Sequence, residues 1–351
     1  MKTKIINKLK ELLKYKTIKG NQEEFNKIFE YIKLTTKESL TIKEYIFNNN
    51  KCLVISNVDT TNYDIIFCTH IDIVPCSTYD YKEDDINIYG RGTIDMKGSV
   101  AVCLELLNNI NTNKKIALFI TSDEETDGNC VYELLKIYKS KLAIVPDGGS
   151  NFTLIKEEKG LLQLELNIKT KSAHASQPFN GENAIVKLYE VYETLLKKYP
   201  LPSSSNEYKT SINLSKLNGG LQTNQVPDTS TMILDIRYVS KDTPQDFISI
   251  ISNTNPNIKI KTILEGPVFK TNLNNKEIKK YLKVCQNILN KKINIISCES
   301  TSDAVYFSEY NIPTIIMNPN GNYPHCENEY VNKDSLLTLY NIYKEFIQKE
   351  D

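Results

Sequence analysis

Short apolar runs that stop abruptly at acids or histidine constrain this chain most. From Cys52 onward such runs alternate with helical stretches: Ile65 to Phe67, Val100 to Leu107, Ile116 to Ile120, Val131 to Ile137 and Ala143 to Val145. Runs of three to five apolar residues without polar alternation suit strands buried on both faces. Strands alternating with helices predict an α/β domain with a mainly parallel sheet and helices on both faces. The ends of the runs carry chemistry. IIFCTHID closes on His70 and Asp72, IALFITSDEE on Glu124 and Glu125, and LAIVPD on Asp147, while TIIMNPNGNYPH leads into His325. Ligands of open α/β sheets bind beyond the carboxyl ends of the strands, so these residues are expected at one edge.

At about 100–200 residues per domain, 351 residues suggest two domains. Residues 1 to 33 read as helix, with Ile5, Leu9 and Leu12 and then Phe25, Ile28, Phe29 and Ile32 at helical spacing. The middle of the chain differs. LLQLELNIK alternates apolar and polar residues, as do Ile212 to Ser215 and Thr231 to Val239, and a helix is expected near Ala184 to Leu196. This marks an inserted α+β domain at 160–267 within a domain built from 1–159 and 268–351.

Lys and Arg total 43 against 43 Asp and Glu, which leaves no electrostatic argument for nucleic acid or an anionic membrane as partner. No apolar run approaches the roughly 20 residues of a membrane span, and MKTKIINKLK lacks a signal-like apolar core. A cytoplasmic protein is expected. Its eight cysteines show no C-x-x-C spacing and are expected to be reduced and mostly buried.

Histidine and arginine are rare here: His70, His174 and His325, and Arg91 and Arg237. With Asp72, Asp95, Glu124, Glu125 and Asp147, His70 and His325 supply the nitrogen and oxygen donors of a catalytic pair of divalent ions. Asp72, two residues beyond His70, is placed to hold the other imidazole nitrogen. Asp95 lies in GRGTIDMKG, a tight loop before a helix starting near Lys97, and suits a bridge between two metals. Glu124 and Glu125, on an extended chain end, would diverge, one binding metal and the other taking a proton from water.

In order along the chain, THIDIVP (69–75), YGRGTIDMKG (89–98), TSDEET (121–126), VPDGG (145–149), SAHAS (172–176), NGENAI (180–185), GGLQTNQVPD (219–228), DIR (235–237), STSDA (300–304) and HCENEYV (325–331) cover nearly all of it. Together they resemble the dinuclear zinc deacylases and exopeptidases of metallopeptidase family twenty. The family includes acetylornithine deacetylase, succinyl-diaminopimelate desuccinylase, aminoacylases and di- and tripeptidases. The resemblance implies a zinc-exopeptidase fold with a lid and dimerisation domain at 160–267. It implies two Zn2+ per chain, replaceable by Co2+ or Mn2+. One would be held by His70, Asp95 and Asp147 and the other by Asp95, Glu125 and His325, with Glu124 as general base and a cis Asp95–Met96 peptide. His174 would donate to the oxyanion in the partner subunit of a homodimer, and Asn224, Arg237 and Thr301 would contact substrate, Arg237 as a bidentate clamp for an α-carboxylate. Arg91 is assigned to the structure of its loop, and Ser302 and Asp303 to holding their turn. The expected substrate is an N-acyl amino acid of the ornithine, diaminopimelate or lysine type. A short peptide is the alternative: SAHASQP looks more like the deacetylase and peptidase branches than like the desuccinylases, and the Asp147-Gly-Gly run looks like peptidase members. A catalytically silent binding or scaffold protein on the same fold is the reading from another class.

Overall fold

The computed structural model describes residues 1–126, 128–204 and 207–349. The chain divides into two compact units, one of Met1–Lys156, Thr271–Ile296 and Ser302–Asp351, the other of Glu157–Lys270 and Ser297–Thr301. The second unit thus begins before residue 160, ends after 267 and takes in a short return at 297–301.

In the first unit the sheet runs in the order Thr41–Phe47, Asn50–Ser56, Ile116–Thr121, Asn62–His70, Lys139–Val145, Thr314–Ile316. The last four strands are parallel and form its centre. The first two are an antiparallel hairpin laid beside Ile116–Thr121. Its turn residues, Asn48 and Asn49, have φ of 49° and 68°. Asparagine tolerates that left-handed region, and two such residues in succession match the right-handed twist of a hairpin.

Every residue of Ile116–Thr121 is buried, as two covered faces require. The N-terminal stretch is divided into helices Lys2–Leu13 and Gln22–Thr35. Helices Lys2–Leu13, Gly98–Asn109, Lys276–Leu289 and Lys333–Gln348 pack together on one side, where the Phe67 and Tyr343 ring centroids lie 4.9 Å apart. Ile66 and Cys68 alternate to the opposite face. Helix Asn129–Ile137 packs against the hairpin and Ile116–Thr121. All eight cysteines are free, five of them buried.

The second unit is an antiparallel sheet in the order Ser211–Gly219, Thr229–Tyr238, Gly160–Lys169, Lys259–Gly266. Leu162, Leu164, Leu166, Met232, Leu234 and Ile236 point to one face and form a core with Leu188, Val191 and Leu195 of helix Ala184–Lys198 and Phe247 and Ile251 of helix Pro244–Thr254. The first helix is capped by Asn183 Oδ1, which accepts from Ile185 N and Val186 N at 3.0 and 3.2 Å. The second, which apolar spacing did not reveal, starts with a Thr243/Asp246 capping box and Pro244 at its first turn. Among the described residues no helix is long and apolar enough to cross a membrane.

Candidate active site

The ends of the parallel strands place the site, which lies wholly within the first unit. His70 is the last residue of Asn62–His70, and the chain leaves the sheet before Asp72. Asp147 follows Lys139–Val145 by two residues. Asp95 sits in the loop before helix Gly98–Asn109, and its peptide bond to Met96 is cis, as expected. Two glycines shape this loop by lacking a side chain: at Gly92 (φ 82°) a Cβ would fall 2.8 Å from Ile73, and at Gly98 2.4 Å from the carbonyl oxygen of Thr93. Met96 tucks beneath the strand end, its sulfur accepting from His70 N at 3.4 Å.

Asp95 stands between two histidines. Its Oδ1 is 3.2 Å from His70 Nε2 and its Oδ2 3.0 Å from His325 Nε2. Asp147 Oδ2 lies 3.7 Å from His70 Nε2, and Glu125 Oε1 3.0 Å from His325 Nε2. Two donor groups result, His70/Asp95/Asp147 and Asp95/Glu125/His325, each with its ligand atoms within 4.8 Å of one another and sharing Asp95. His70 Nε2 is buried without a hydrogen-bonding partner although these carboxylates converge on it. A buried polar atom left unbonded beside oxygen donors fits a divalent cation, and a set of imidazole and carboxylate without thiolate fits catalytic zinc or its first-row neighbours.

Asp72 lies behind His70. Its carbonyl oxygen and Oδ1 are 3.1 and 3.4 Å from His70 Nδ1, both acceptors, so Nδ1 keeps its proton and Nε2 faces the site. Asp72 Oδ2 also accepts from Glu125 N at 2.8 Å.

Glu124 and Glu125 do not continue an extended strand. Strand Ile116–Thr121 ends before them, and they lie in a turn made by Asp123. The Asp123 carbonyl accepts from Thr126 N and Gly128 N at 3.2 and 2.7 Å, and its carboxylate from Asn129 N and Cys130 N at the start of the next helix. A side chain that caps a helix therefore bends the segment carrying both glutamates.

The electrostatics are those of crowded acids. Burial, then the charge of Asp147, pushes the Glu124 carboxyl well above the ordinary range. Burial and Asp95 raise Asp147 to about 7. Burial opposes ionisation of Asp95 too, yet the nearby imidazoles of His325 and His70 outweigh it and hold that carboxyl well below its usual value. Asp95, then Glu125, lift His325 to about 10. A cation would displace protons from such a set.

The remaining expected residues lie mostly in the second unit. His174 and Asn224 come together on a two-stranded ribbon: His174 pairs with Gln225, and Ala175 N donates to Asn224 O at 2.9 Å. Both side chains are exposed. His174 Nδ1 accepts from Ser176 N at 3.2 Å and lies 2.7 Å from Ser176 Oγ, which leaves Nε2 to carry the proton of the neutral ring. Arg237 is already engaged: its Nε and Nη2 face Asp235 Oδ1 and Oδ2 at 2.8 and 3.4 Å, so only its outer edge is open to a ligand. Thr301 Oγ1 donates to Lys159 O at 2.9 Å. In the first unit, Ser302 Oγ accepts from Ala304 N, whereas Asp303 makes no side-chain cap for the helix it precedes and is buried instead.

Spacing alone missed Glu329. It is fully buried, and its carboxylate accepts from the Asp95 loop and from Arg91, which is structural as expected. An acid beside Tyr330 and Val331, in the run that supplies His325, was the available signal.

Residues 66–349 match peptidase family M20/M25/M40. The chain is 29% identical over 337 residues to an uncharacterized metallohydrolase of Methanocaldococcus jannaschii, covering 92% of each. It is 25% identical over 341 residues to acetylornithine deacetylase of Buchnera aphidicola, covering 89% of this chain and 87% of that one. A tripeptidase from Staphylococcus aureus shares the fold, with a TM-score of 0.78 at 22% identity over 99% of this chain and 98% of its own. With the shared-aspartate donor groups, the match over most of its length establishes the chain as a member of peptidase family M20/M25/M40, a metal-dependent hydrolase of amide or peptide bonds.

Proposed function

We propose that this protein is a dinuclear zinc amidohydrolase that removes an acetyl or succinyl group from an N-acyl amino acid of the ornithine, diaminopimelate or lysine type. One observation carries the reading: Asp95 offers one oxygen to each of two histidine-containing donor groups. His70, Asp95 and Asp147 would hold one ion, and Asp95, Glu125 and His325 the other. The chemistry such ions would supply when bound is a lowered pKa for water and a polarised scissile carbonyl. Glu124, kept protonatable by burial, takes the proton from the attacking water and returns it to the leaving amine. Asp72 holds His70 in the tautomer that presents Nε2 to the site. His174, with Nε2–H free to donate, stabilises the oxyanion in the partner subunit of a homodimer formed through the second unit. Asn224, the open edge of Arg237 and Thr301 orient the substrate.

A di- or tripeptidase of the same fold is the second reading. It is favoured by Asp147, an aspartate in place of glutamate as third ligand, followed by two glycines. Elemental analysis combined with hydrolysis of acetylornithine, succinyl-diaminopimelate and a set of dipeptides tests both. The deacylase reading requires near two zinc per chain and turnover of an acylated substrate. Turnover of peptides alone moves the assignment to the second reading, and failure to take up metal overturns both.

A further inference from the structure

Glu329 touches every residue of the loop that carries Asp95. Its carbonyl oxygen accepts from Gly90 N at 2.9 Å. Its Oε2 accepts from Arg91 Nη1 at 2.9 Å and Gly92 N at 3.0 Å. Its Oε1 accepts from Ile94 N at 3.0 Å and Asp95 N at 3.2 Å, with Thr93 Oγ1 at 3.5 Å. Every residue from Arg91 to Asp95 therefore converges on one side chain with no solvent exposure.

Neutralising a buried carboxylate would take only Arg91. A buried ion pair is in any case a weak source of net stability, since apolar residues of the same volume often do as well. The backbone donors supply something else, a defined shape for a loop whose two glycines make it intrinsically loose. Glu329 is also anchored on its own side. It follows His325 by four residues, its amide donates to Cys326 O at 3.3 Å, and Cys326 N donates to Tyr323 O at 3.1 Å. Strand Tyr330–Asn332 then pairs with Asn87–Tyr89, which leads into the loop. Both residues facing each other across the second donor group, Asp95 and His325, are thus tied to this one acid.

We infer that Glu329 is a positioning residue for the metal pair, its carboxylate setting the Gly90–Asp95 loop so that Asp95 reaches His70 and His325 at once. The inference rests on the two-metal reading above. It predicts that metal binding at both donor groups depends on Glu329, because Asp95 belongs to each of them.

Glu329→Gln is the informative change. Both carboxylate oxygens accept from N–H groups, so the amide must turn its own NH2 toward one set of them. Metal-free wild type and variant are titrated calorimetrically with Zn2+, and amide hydrogen exchange of Gly92, Ile94 and Asp95 is followed in the metal-free proteins. The expected result is faster exchange at these three amides and both zinc equivalents weakened by about 10–100-fold, the range for loss of a group that orients a ligand. Glu329→Asp, which keeps the charge but shortens the reach, is expected to fall between the two. Should Glu329→Gln not fold, Glu329→Asp decides, and it must both weaken zinc binding and speed exchange at these amides. Wild-type affinity for both equivalents, or weakened binding with unchanged exchange at the three amides, overturns the positioning role, since a purely structural acid would lower the melting temperature without touching the loop or the metal. Wild type that takes up no zinc overturns the two-metal reading itself.

Discussion

The two sheets handle polar residues in opposite ways. In the first unit the central strands are covered on both faces, and Ile116–Thr121 has no exposed position. Its acids are displaced past the strand ends, where Asp72, Glu124, Glu125 and Asp147 crowd around two histidines. In the second unit Gln163, Asn167, Thr231 and Asp235 alternate with the core residues and bond across the strands, while Arg237 bonds Asp235 on its own strand. Gln163 Nε2 donates to Asp235 at 2.8 Å and Thr231 Oγ1 to Asn167 at 2.6 Å. A sheet with one open face can satisfy its polar residues locally. A sheet with none concentrates them at its edge, where mutual repulsion is available for chemistry.

The sharpest way to break this contrast is at Glu124. Replacing it with Ala is expected to lower kcat by about 10²–10⁴-fold, the usual share of general acid–base catalysis, with metal content unchanged. Near wild-type turnover of the acylated substrate would remove it as the base. His174→Ala probes the exposed unit in the same assay, with an expected loss of about 10²–10³-fold, that of one oxyanion donor. If the donor acts across a dimer, co-expressing His174→Ala with Glu124→Ala should restore about a quarter of wild-type activity, because half the dimers are hybrids with one intact site each. No recovery would place the donor within its own chain or dismiss the role.

Stability offers smaller contrasts. Phe67→Ala, fully buried against Tyr343, is expected to cost about 3–5 kcal/mol in chemical denaturation. Asn183→Ala, which removes a helix cap in the second unit, should cost about 1 kcal/mol. Stripping the metal with a chelator should lower the melting temperature of the first unit while leaving that of the second unchanged, because only the first unit holds the donor groups. A uniform shift in both transitions would contradict that division.

Much of this was legible from residue order. Uninterrupted apolar runs announced the parallel strands because burial on both faces leaves no room for alternation, and alternation announced the second sheet for the converse reason. The Asn48–Asn49 turn and the Thr243–Asp246 cap were equally local, and only went unread beneath stronger apolar signals. The bend at Glu124 and Glu125 was not legible in hydrophobic spacing: it comes from Asp123 reaching the first amides of the helix that begins six residues on. Nor was the engagement of Arg237 by Asp235, since neighbours on alternate positions of a strand meet only once the strand has formed.

By itself the sequence determined which segments become strands and helices, which residue types stand at the strand ends, and the family to which they belong, because these follow from short-range hydrophobic spacing and from motifs a few residues long. Tertiary structure alone decided that Glu329, 234 residues from Asp95, grips the loop that carries it. The reason is physical. A carboxylate's hydrogen bonds and charge act over a few ångströms of space, and only the folded chain brings those distances about.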